Sequence, residues 1–338
     1  MNIGILTYGD KQSGMGHIMR EIVLARELLD MGHGVSFLTL SPSPGKDRLT
    51  QEFMEDEKSD NVSIFGFLDM ERLLKFTASS DYEDVLVIDL EHGPDRQLLE
   101  RVREITPKVV VVGGVGFPIH DIQAVDELVD LQIFQAAYLN PGTSAVSNML
   151  IGAEYLIIGE EYFDARNYRM NEIGSGILLT LGGGDPHNLT DEMYARIRNE
   201  FPNKWITKVY GAANDGRSRN EDNSMSAYAP GSLAPFMKRH SIIITALGMT
   251  VYEACCVGRP VACTGWSQDH IETANRLNDI GVVRSIGMWD NINYDALFQW
   301  IEFMQNPAAW NETRVRQMNL VDGLGARRVA EAICGLIG

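Results

Sequence analysis

Ile3-Gly4-Ile5-Leu6-Thr7 leads through Gly14-Met15-Gly16-His17-Ile18-Met19-Arg20 to Val35-Ser36-Phe37-Leu38-Thr39-Leu40. Two short apolar runs bracket a segment, residues 17–31, whose apolar positions repeat at helical spacing. Such a run specifies a strand, a crossover helix and a second strand parallel to the first. Strands rich in Val and Ile without strict alternation suit a sheet covered on both faces.

The alternation continues outward from that opening, with strands expected at 62–67, 85–90 and 109–112, a weaker one at 131–135, and a helix at 95–104. It loosens between Asn140 and Gly176, where Pro141-Gly142-Thr143-Ser144, a short run at 155–158 and a polar segment at 160–175 read as a hinge. After Gly176 the pattern restarts, with strands at 177–181, 205–210, 242–245 and 260–264, helices at 189–200 and from Met249, and a helix ending near Asp279. Segments 294–305, 312–318 and 325–337 read as closing helices, and 211–223, rich in Gly, Asn, Asp and Arg, as a surface loop. The fold class expected is α/β, with a doubly wound domain over 1–160, a linker over 161–175 and a second such domain over 176–338.

A chain of 338 residues suits two domains of about 150 residues each. With 45% apolar and 22% charged residues, it has material for two cores. Nothing approaches the roughly 20 uninterrupted apolar residues of a membrane span, and Met1-Asn2-Ile3-Gly4 enters a strand without a charged leader, so a cytoplasmic location is expected. The four cysteines, Cys255, Cys256, Cys263 and Cys334, lack zinc spacing and read as reduced thiols. A formal charge of −17 argues against a nucleic-acid partner. A small anion remains compatible with it, because helix N-termini and a few local arginines hold a diphosphate by local geometry.

Four segments carry candidate chemistry. In Gly14-Met15-Gly16-His17, glycines bring backbone N–H groups close to a ligand and a histidine stands at the mouth of a helix as a general base; alternatively Gly16 closes a turn and His17 only starts the helix. Asp89 ends its strand with Glu91 and His92 just beyond, placed to orient His17 or else to cap the next turn. In Leu181-Gly182-Gly183-Gly184-Asp185-Pro186-His187-Asn188, bare amides face the strand ends where open α/β sheets bind ligands, while Asp185 and Asn188 equally read as caps of the next helix, capping being above all the reading of Asn188. Leu247-Gly248-Met249-Thr250-Val251-Tyr252-Glu253 offers a helix N-terminus for a diphosphate and a carboxylate for a ribose diol, with an S/T-x-x-E capping box as the plainer reading. Trp266-Ser267-Gln268-Asp269-His270 reads as a polar loop that either fixes sugar hydroxyls or is merely solvated. His33, His92, His120, His187 and His240 lie in turns or at element ends without metal spacing, and neither a metal nor a cofactor is expected.

The motifs Gly14-x-Gly16-His17-x-x-Arg20, Gly182-Gly183-x-Asp185-x-x-Asn188, Gly248-x-Thr250-x-x-Glu253 with Gly258-x-Pro260, and Val321-Asp322-Gly323-x-Gly325-Ala326-x-Arg328-Val329 occur in this order. Together they resemble the nucleotide-sugar hydrolases of pseudaminic acid biosynthesis and the related spore-coat polysaccharide proteins, over nearly the whole chain. The resemblance implies the GT-B fold, two Rossmann-like domains facing a central cleft, and cleavage of a UDP-linked diacetamido-trideoxy sugar by water at the anomeric carbon. It implies that His17 matches the catalytic base and that residues 248–253 hold the UDP moiety. The chain departs from the pattern at the sugar end, with Gly113-Gly114 in place of an Asp pair and Asp269-His270 in place of Asn-Gln.

The expected site therefore comprises His17 and Asp89 for catalysis, and Gly14, Gly16, Arg20, Gly183, Gly184, Asp185, Asn188, Leu247, Gly248, Met249, Thr250, Glu253, Gln268, Asp269 and His270 for the UDP-sugar. Three functions fit: a hydrolase; an inverting glycosyltransferase, for which the absence of a long basic or apolar run favours a soluble acceptor; and a nucleotide-sugar binder without chemistry, against which His17 itself argues.

Overall fold

In the first half of the chain the apolar runs become parallel strands, β1 (Asn2–Thr7), β2 (Gly34–Leu40), β3 (Val62–Phe67), β4 (Val85–Asp89), β5 (Val109–Gly113), β6 (Leu131–Phe134) and β7 (Met149–Leu150). Helices α1 (Gly16–Asp30), α2 (Pro44–Met54), α3 (Met70–Thr77) and α4 (Arg96–Arg103) run between them. The computed structural model describes residues 1–9, 15–54, 59–77, 84–91, 93–113, 127–138, 148–166, 176–183, 185, 187–211, 224–228 and 231–337. The strand order is β3-β2-β1-β4-β5-β6-β7, every neighbouring pair parallel.

Alternate side chains of each strand serve two cores, which explains the nearly continuous apolar runs. Ile3, Ile5, Val85 and Val87 pack with Ile18, Leu24 and Leu28 of α1. Leu6, Leu86, Ile88 and Val111 pack on the other side with Leu73 of α3 and Leu99 and Val102 of α4.

The second half repeats the plan. Helix α5 (Glu160–Ala165) precedes β8 (Ile177–Thr180), α6 (Leu189–Glu200), β9 (Ile206–Tyr210), β10 (Ser224–Tyr228), α7 (Ala234–Arg239) and β11 (Ile242–Ala246). There follow α8 (Met249–Val257), β12 (Val261–Gly265), α9 (Gln268–Asp279), β13 (Val283–Met288), α10 (Tyr294–Phe303), α11 (Pro307–Leu320) and α12 (Gly325–Gly335). The strand order β10-β9-β8-β11-β12-β13 is again all parallel. Its core gathers Ile177, Leu179, Met193, Ile197, Ile244 and Trp300.

The chain divides into two compact units, one of Met1–Ile157 with Leu324–Gly338 and the other of Ile158–Gly323. Two expectations change here. Residues 160–166 are no linker: Tyr162 and Ala165 are buried, the Leu233 amide donates to the Tyr162 hydroxyl (3.2 Å), and Arg166 donates to the Asp322 carbonyl (2.7 Å) while its own carbonyl accepts from Arg314 (3.0 Å). The remaining expected linker, 167–175, lies outside the described residues, as do 139–147 and 212–223. The last helix does not close the second unit. It returns to the first, where Ala326, Val329, Ala330 and Ile333 join the core that contains α1.

Several elements went unread in the sequence. Helix α2 opens on Ser43-Pro44, with the Ser43 hydroxyl accepting from the Lys46 amide (3.1 Å) and proline at the first helical position, a start signal that needs no apolar stripe. Helix α3 is capped by Asp69, which accepts from the Arg72 amide (2.8 Å). Strand β13 carries Arg284, Ser285 and Gly287, which break the apolar run.

The return of α12 depends on one glycine. A Cβ on Gly325 would overlap the Leu156 carbonyl oxygen and lie 2.7 Å from its amide nitrogen, and backbone cannot swing aside as a side chain does. Gly325→Ala is expected to destabilise the first unit by about 1–3 kcal/mol, the cost of overpacking a closed contact. Urea unfolding of parent and variant, followed by far-ultraviolet circular dichroism, measures the loss; an unchanged midpoint would mean that the helix is not clamped there.

Candidate functional site

The first sheet reverses its winding between β1 and β4, since β2 and β3 extend to one side and β5 to β7 to the other. At such a reversal the loops leaving adjacent strands diverge and open a crevice at the carboxyl ends. Thr7 and Asp89, the last residues of β1 and β4, stand side by side there. Helix α1 starts above them at Gly16, its cap residue Met15 making no side-chain hydrogen bond. Gly14, His92, Gly114 and His120 lie outside the described residues.

His17 Nδ1 lies 2.7 Å from Asp89 Oδ1. A carboxylate oxygen and an unprotonated ring nitrogen would repel at that distance, so the proton sits on Nδ1 and the free lone pair is on Nε2. Arg20 donates from Nε to Asp89 Oδ2 (2.6 Å) and from its terminal nitrogen to Oδ1. That terminal nitrogen is also 2.9 Å from His17 Nδ1, a close approach without a hydrogen bond once Nδ1 carries its own proton. Asp89 is wholly buried and Arg20 is 7% exposed, whereas His17 keeps 16% of its side chain accessible. Arg20, expected to bind substrate, is thus committed to Asp89.

Burial works to raise the Asp89 carboxyl, but the Arg20 charge, and then the hydrogen bond and charge of His17, outweigh it and hold Asp89 well below the usual carboxylate range. For Arg20, burial works downward and the Asp89 charge and hydrogen bond override it, so the guanidinium rises further. One turn along α1 from His17, Glu21 is completely buried beside Asp89 and is pushed far above the ordinary glutamate value, first by burial and then by the Asp89 charge. The sequence reading passed over Glu21, although its spacing of four from His17 places both on one helix face.

The second sheet reverses between β8 and β11. Gly182 and Gly183 leave β8 and pass Gly211 at the end of β9 so closely that a Cβ on Gly211 would overlap both of their carbonyl oxygens. Gly184 and Pro186 lie outside the described residues. The cap of α6 is Asp185, whose two carboxylate oxygens accept from the Leu189 and Thr190 amides at 2.8 Å each. Asn188, expected to do this, adopts a left-handed backbone (φ 54°) and makes no cap hydrogen bond.

Leu247 is buried, its amide donating to the Thr264 carbonyl (2.7 Å), and Gly248 takes the cap position of α8. Because glycine has no side chain, the first-turn amides at Met249 and Thr250 receive no cap, and the capping box read from Thr250 and Glu253 does not form. Glu253 is instead pushed up to about 8 by burial and by the Glu161 charge, with hydrogen bonds from Tyr162 and Thr250 pulling the other way. Burial and the nearby Glu253 in turn push the Tyr162 phenol well above its usual range. Glu161 and Tyr162 precede Glu253 by some 90 positions in the chain, and no local pattern announces the encounter.

The expected loop at 266–270 is a helix start. Ser267 caps α9, accepting from the His270 amide (3.4 Å), and Gln268, Asp269 and His270 form its first turn. Gln268 donates to Glu272 (3.3 Å), and His270, lowered by burial, accepts from the Trp266 amide (3.4 Å). Beside it the His187 ring stacks on Trp289 at 3.6 Å between centroids and 2° between planes, with Trp266 6.0 Å from His187. Trp289 escaped the sequence reading because it directly follows β13, a strand that went unread. Among the described residues no group of three His, Cys, Asp or Glu is placed to hold a metal ion, and no helix is long and apolar enough to cross a membrane. Cys255, Cys256 and Cys263 are buried free thiols.

No family model matches the chain. The spore coat polysaccharide biosynthesis protein SpsG of Bacillus subtilis is 25% identical over 341 residues, covering 97% of this chain and 96% of that one. The uncharacterized protein MJ1062 of Methanocaldococcus jannaschii is 24% identical over 282 residues, 77% of this chain; the match spans about half, 55%, of that relative's length. Among solved structures, Arabidopsis thaliana UGT89C1 complexed with UDP superposes with a TM-score of 0.71 at 11% identity, over all of both chains. The UDP-GlcNAc 2-epimerase of Neisseria meningitidis bound to UDP-GlcNAc gives 0.62 at 11% identity, over 99% of this chain and 100% of that one. The chain therefore has the GT-B fold, two parallel-sheet α/β domains as in glycosyltransferase and epimerase structures.

Proposed function

We propose that this protein is a nucleotide-sugar-processing enzyme that hydrolyses a UDP-linked acetamido sugar at its anomeric carbon. The observation that carries the proposal is the hydrogen bond from His17 Nδ1 to Asp89, which leaves Nε2 as the basic nitrogen of a partly exposed imidazole. In the reaction Nε2 takes a proton from water as the water oxygen bonds to the anomeric carbon. The bond from that carbon to the diphosphate oxygen breaks, UDP carries away the electron pair, and the configuration inverts. Asp89 stabilises the imidazolium that forms, and Arg20 keeps Asp89 charged and fixed.

The second unit is proposed to hold the UDP moiety. The uncapped amides of α8 and the Gly182-Gly183 turn suit a diphosphate, and a neutral Glu253 spares that anion a nearby negative charge. The relation to a polysaccharide biosynthesis protein and the likeness to UDP-complexed structures support a UDP-sugar as the substrate. Transfer to an acceptor hydroxyl is the second reading, favoured by the UGT89C1 likeness over the whole chain.

UDP release from a panel of UDP-N-acetylated sugars without acceptor tests the reaction. The parent protein is expected to liberate UDP and free sugar in equal amounts, and His17→Ala to lose about 10²–10⁴-fold in rate. Release that begins only when an acceptor hydroxyl is supplied would establish transfer, and binding without release under either condition would leave a binder. Asp89→Asn, which keeps the shape but lets an amide donor face Nδ1, is expected to lose activity by about 10³–10⁴-fold in kcat with little change in KM.

Glu253 generates a pH dependence. Its folded form holds a proton up to about pH 8, whereas its ordinary value is 4.5. Between these two values the folded state binds the proton and the unfolded state does not, so stability falls as pH rises through that window. Thermal unfolding of Glu253→Gln against the parent is expected to show a gap that opens in favour of the variant as pH rises. Parallel curves across the range would show that Glu253 is ionised in the folded protein.

A further inference from the structure

Glu21 poses a problem that the reaction as described does not use. Its side chain is fully buried on α1, and neither carboxyl oxygen receives a hydrogen bond from any described residue. Among the described residues the group that acts on it by both charge and hydrogen bonding is Asp89, another carboxyl. The charged groups that bear on it are Asp89 from β4 and Arg20 from its own helix, and Arg20 is already bound to both Asp89 oxygens. An ionised Glu21 would therefore be a buried anion against a second anion with no donor among the described residues, an arrangement costing several kcal/mol or more. Two carboxyls in contact share a hydrogen bond only when one carries a proton. Asp89 is held as the anion by Arg20 and His17.

We infer that Glu21 is a protonated positioning residue that donates its O–H to Asp89 and completes a four-membered cluster with His17, Asp89 and Arg20. The cluster is then neutral in its resting state, with Arg20 and Asp89 cancelling while His17 and Glu21 are uncharged. The added hydrogen bond fixes the plane of the Asp89 carboxylate from which Nδ1 hangs. It also draws charge away from the oxygens facing His17, so that Asp89 orients the imidazole without holding its proton too firmly for turnover. Glutamine preserves this arrangement, since its amide N–H replaces the acid O–H at the same length; leucine removes the donor.

The inference rests on the reading of His17 as the base, but its test does not require turnover. Infrared spectra of the full-length protein near about pH 7, with and without ¹³C-carboxyl glutamate, read the protonated carboxyl directly. Nuclear magnetic resonance of ¹⁵N-labelled histidine follows the His17 ring as a function of pH. We expect isotope-sensitive protonated-carboxyl absorption with two components, one from Glu253 that is lost in Glu253→Gln and one that vanishes only in Glu21→Gln. The His17 titration should be unchanged in Glu21→Gln and displaced upward by about half a unit or more in Glu21→Leu, where Asp89 bears its charge on fewer hydrogen bonds. A protonated-carboxyl absorption unaltered by Glu21→Gln, or an altered His17 titration in that variant, would overturn the inference, and these two measurements decide it even if Glu21→Leu does not fold. If the band and titrations follow expectation while no UDP-sugar is turned over, the proposed reaction fails and the role of Glu21 on the imidazole stands.

Discussion

Two parallel sheets buried on both faces leave little room for polar chemistry except at the strand ends, and this constraint shapes everything else in the molecule. The strand interiors are filled by Ile, Leu and Val because both faces meet helices. Charged and flexible residues are displaced to the edges, and only where the winding reverses do adjacent loops part enough to admit a ligand. His17 and Asp89 stand at one reversal, while the Gly182-Gly183 turn and the bare N-terminus of α8 stand at the other.

Within that constraint the first unit buries charge at a point where burial is costly. Asp89 has no access to solvent, yet stays ionised because Arg20 grips it with two nitrogens and His17 with a third. Replacing one of these partners leaves an uncompensated charge in a low-dielectric setting, so the cluster acts as a unit in which effects do not add. The second unit handles burial the opposite way. Glu253, buried close to Glu161, keeps its proton to about pH 8. One acid is ionised by its neighbours and the other is neutralised by them.

The fold was largely legible because parallel strands buried on both faces have to be apolar runs, and 3–7, 62–67, 85–90 and 109–112 announce themselves as such. Helices α2 and α3 escaped because their signal lies in the caps Ser43 and Asp69 rather than in a stripe, and β13 because Arg284 and Gly287 interrupt it. Helix α5 was taken for a linker because its polar opening hid the inward pair Tyr162 and Ala165. The meeting of His17 with Asp89 could be anticipated from strand ends alone, although 72 residues separate them. Capping could be anticipated only in part, since it turns on backbone angles: Asp185, one of two candidates, receives the α6 amides while the left-handed Asn188 makes no cap hydrogen bond, and Gly248 rather than Thr250 occupies the cap of α8. The environments of Glu21 and Glu253 were invisible for a further reason, being set by residues from other elements.

The return of α12 to the first unit makes the second unit, Ile158–Gly323, an insertion within the first. During synthesis the sheet of the first unit emerges from the ribosome before the second unit, but the helix that supplies Val329, Ala330 and Ile333 to its core emerges after it. Domains emerging from the ribosome generally fold in order from the N-terminus. Here the sequence of completion is inverted, with the continuous second unit free to finish while the unit bearing His17 waits for its last helix. The imidazole, Asp89 and Arg20 thus belong to a core that closes only after the whole second unit has been made.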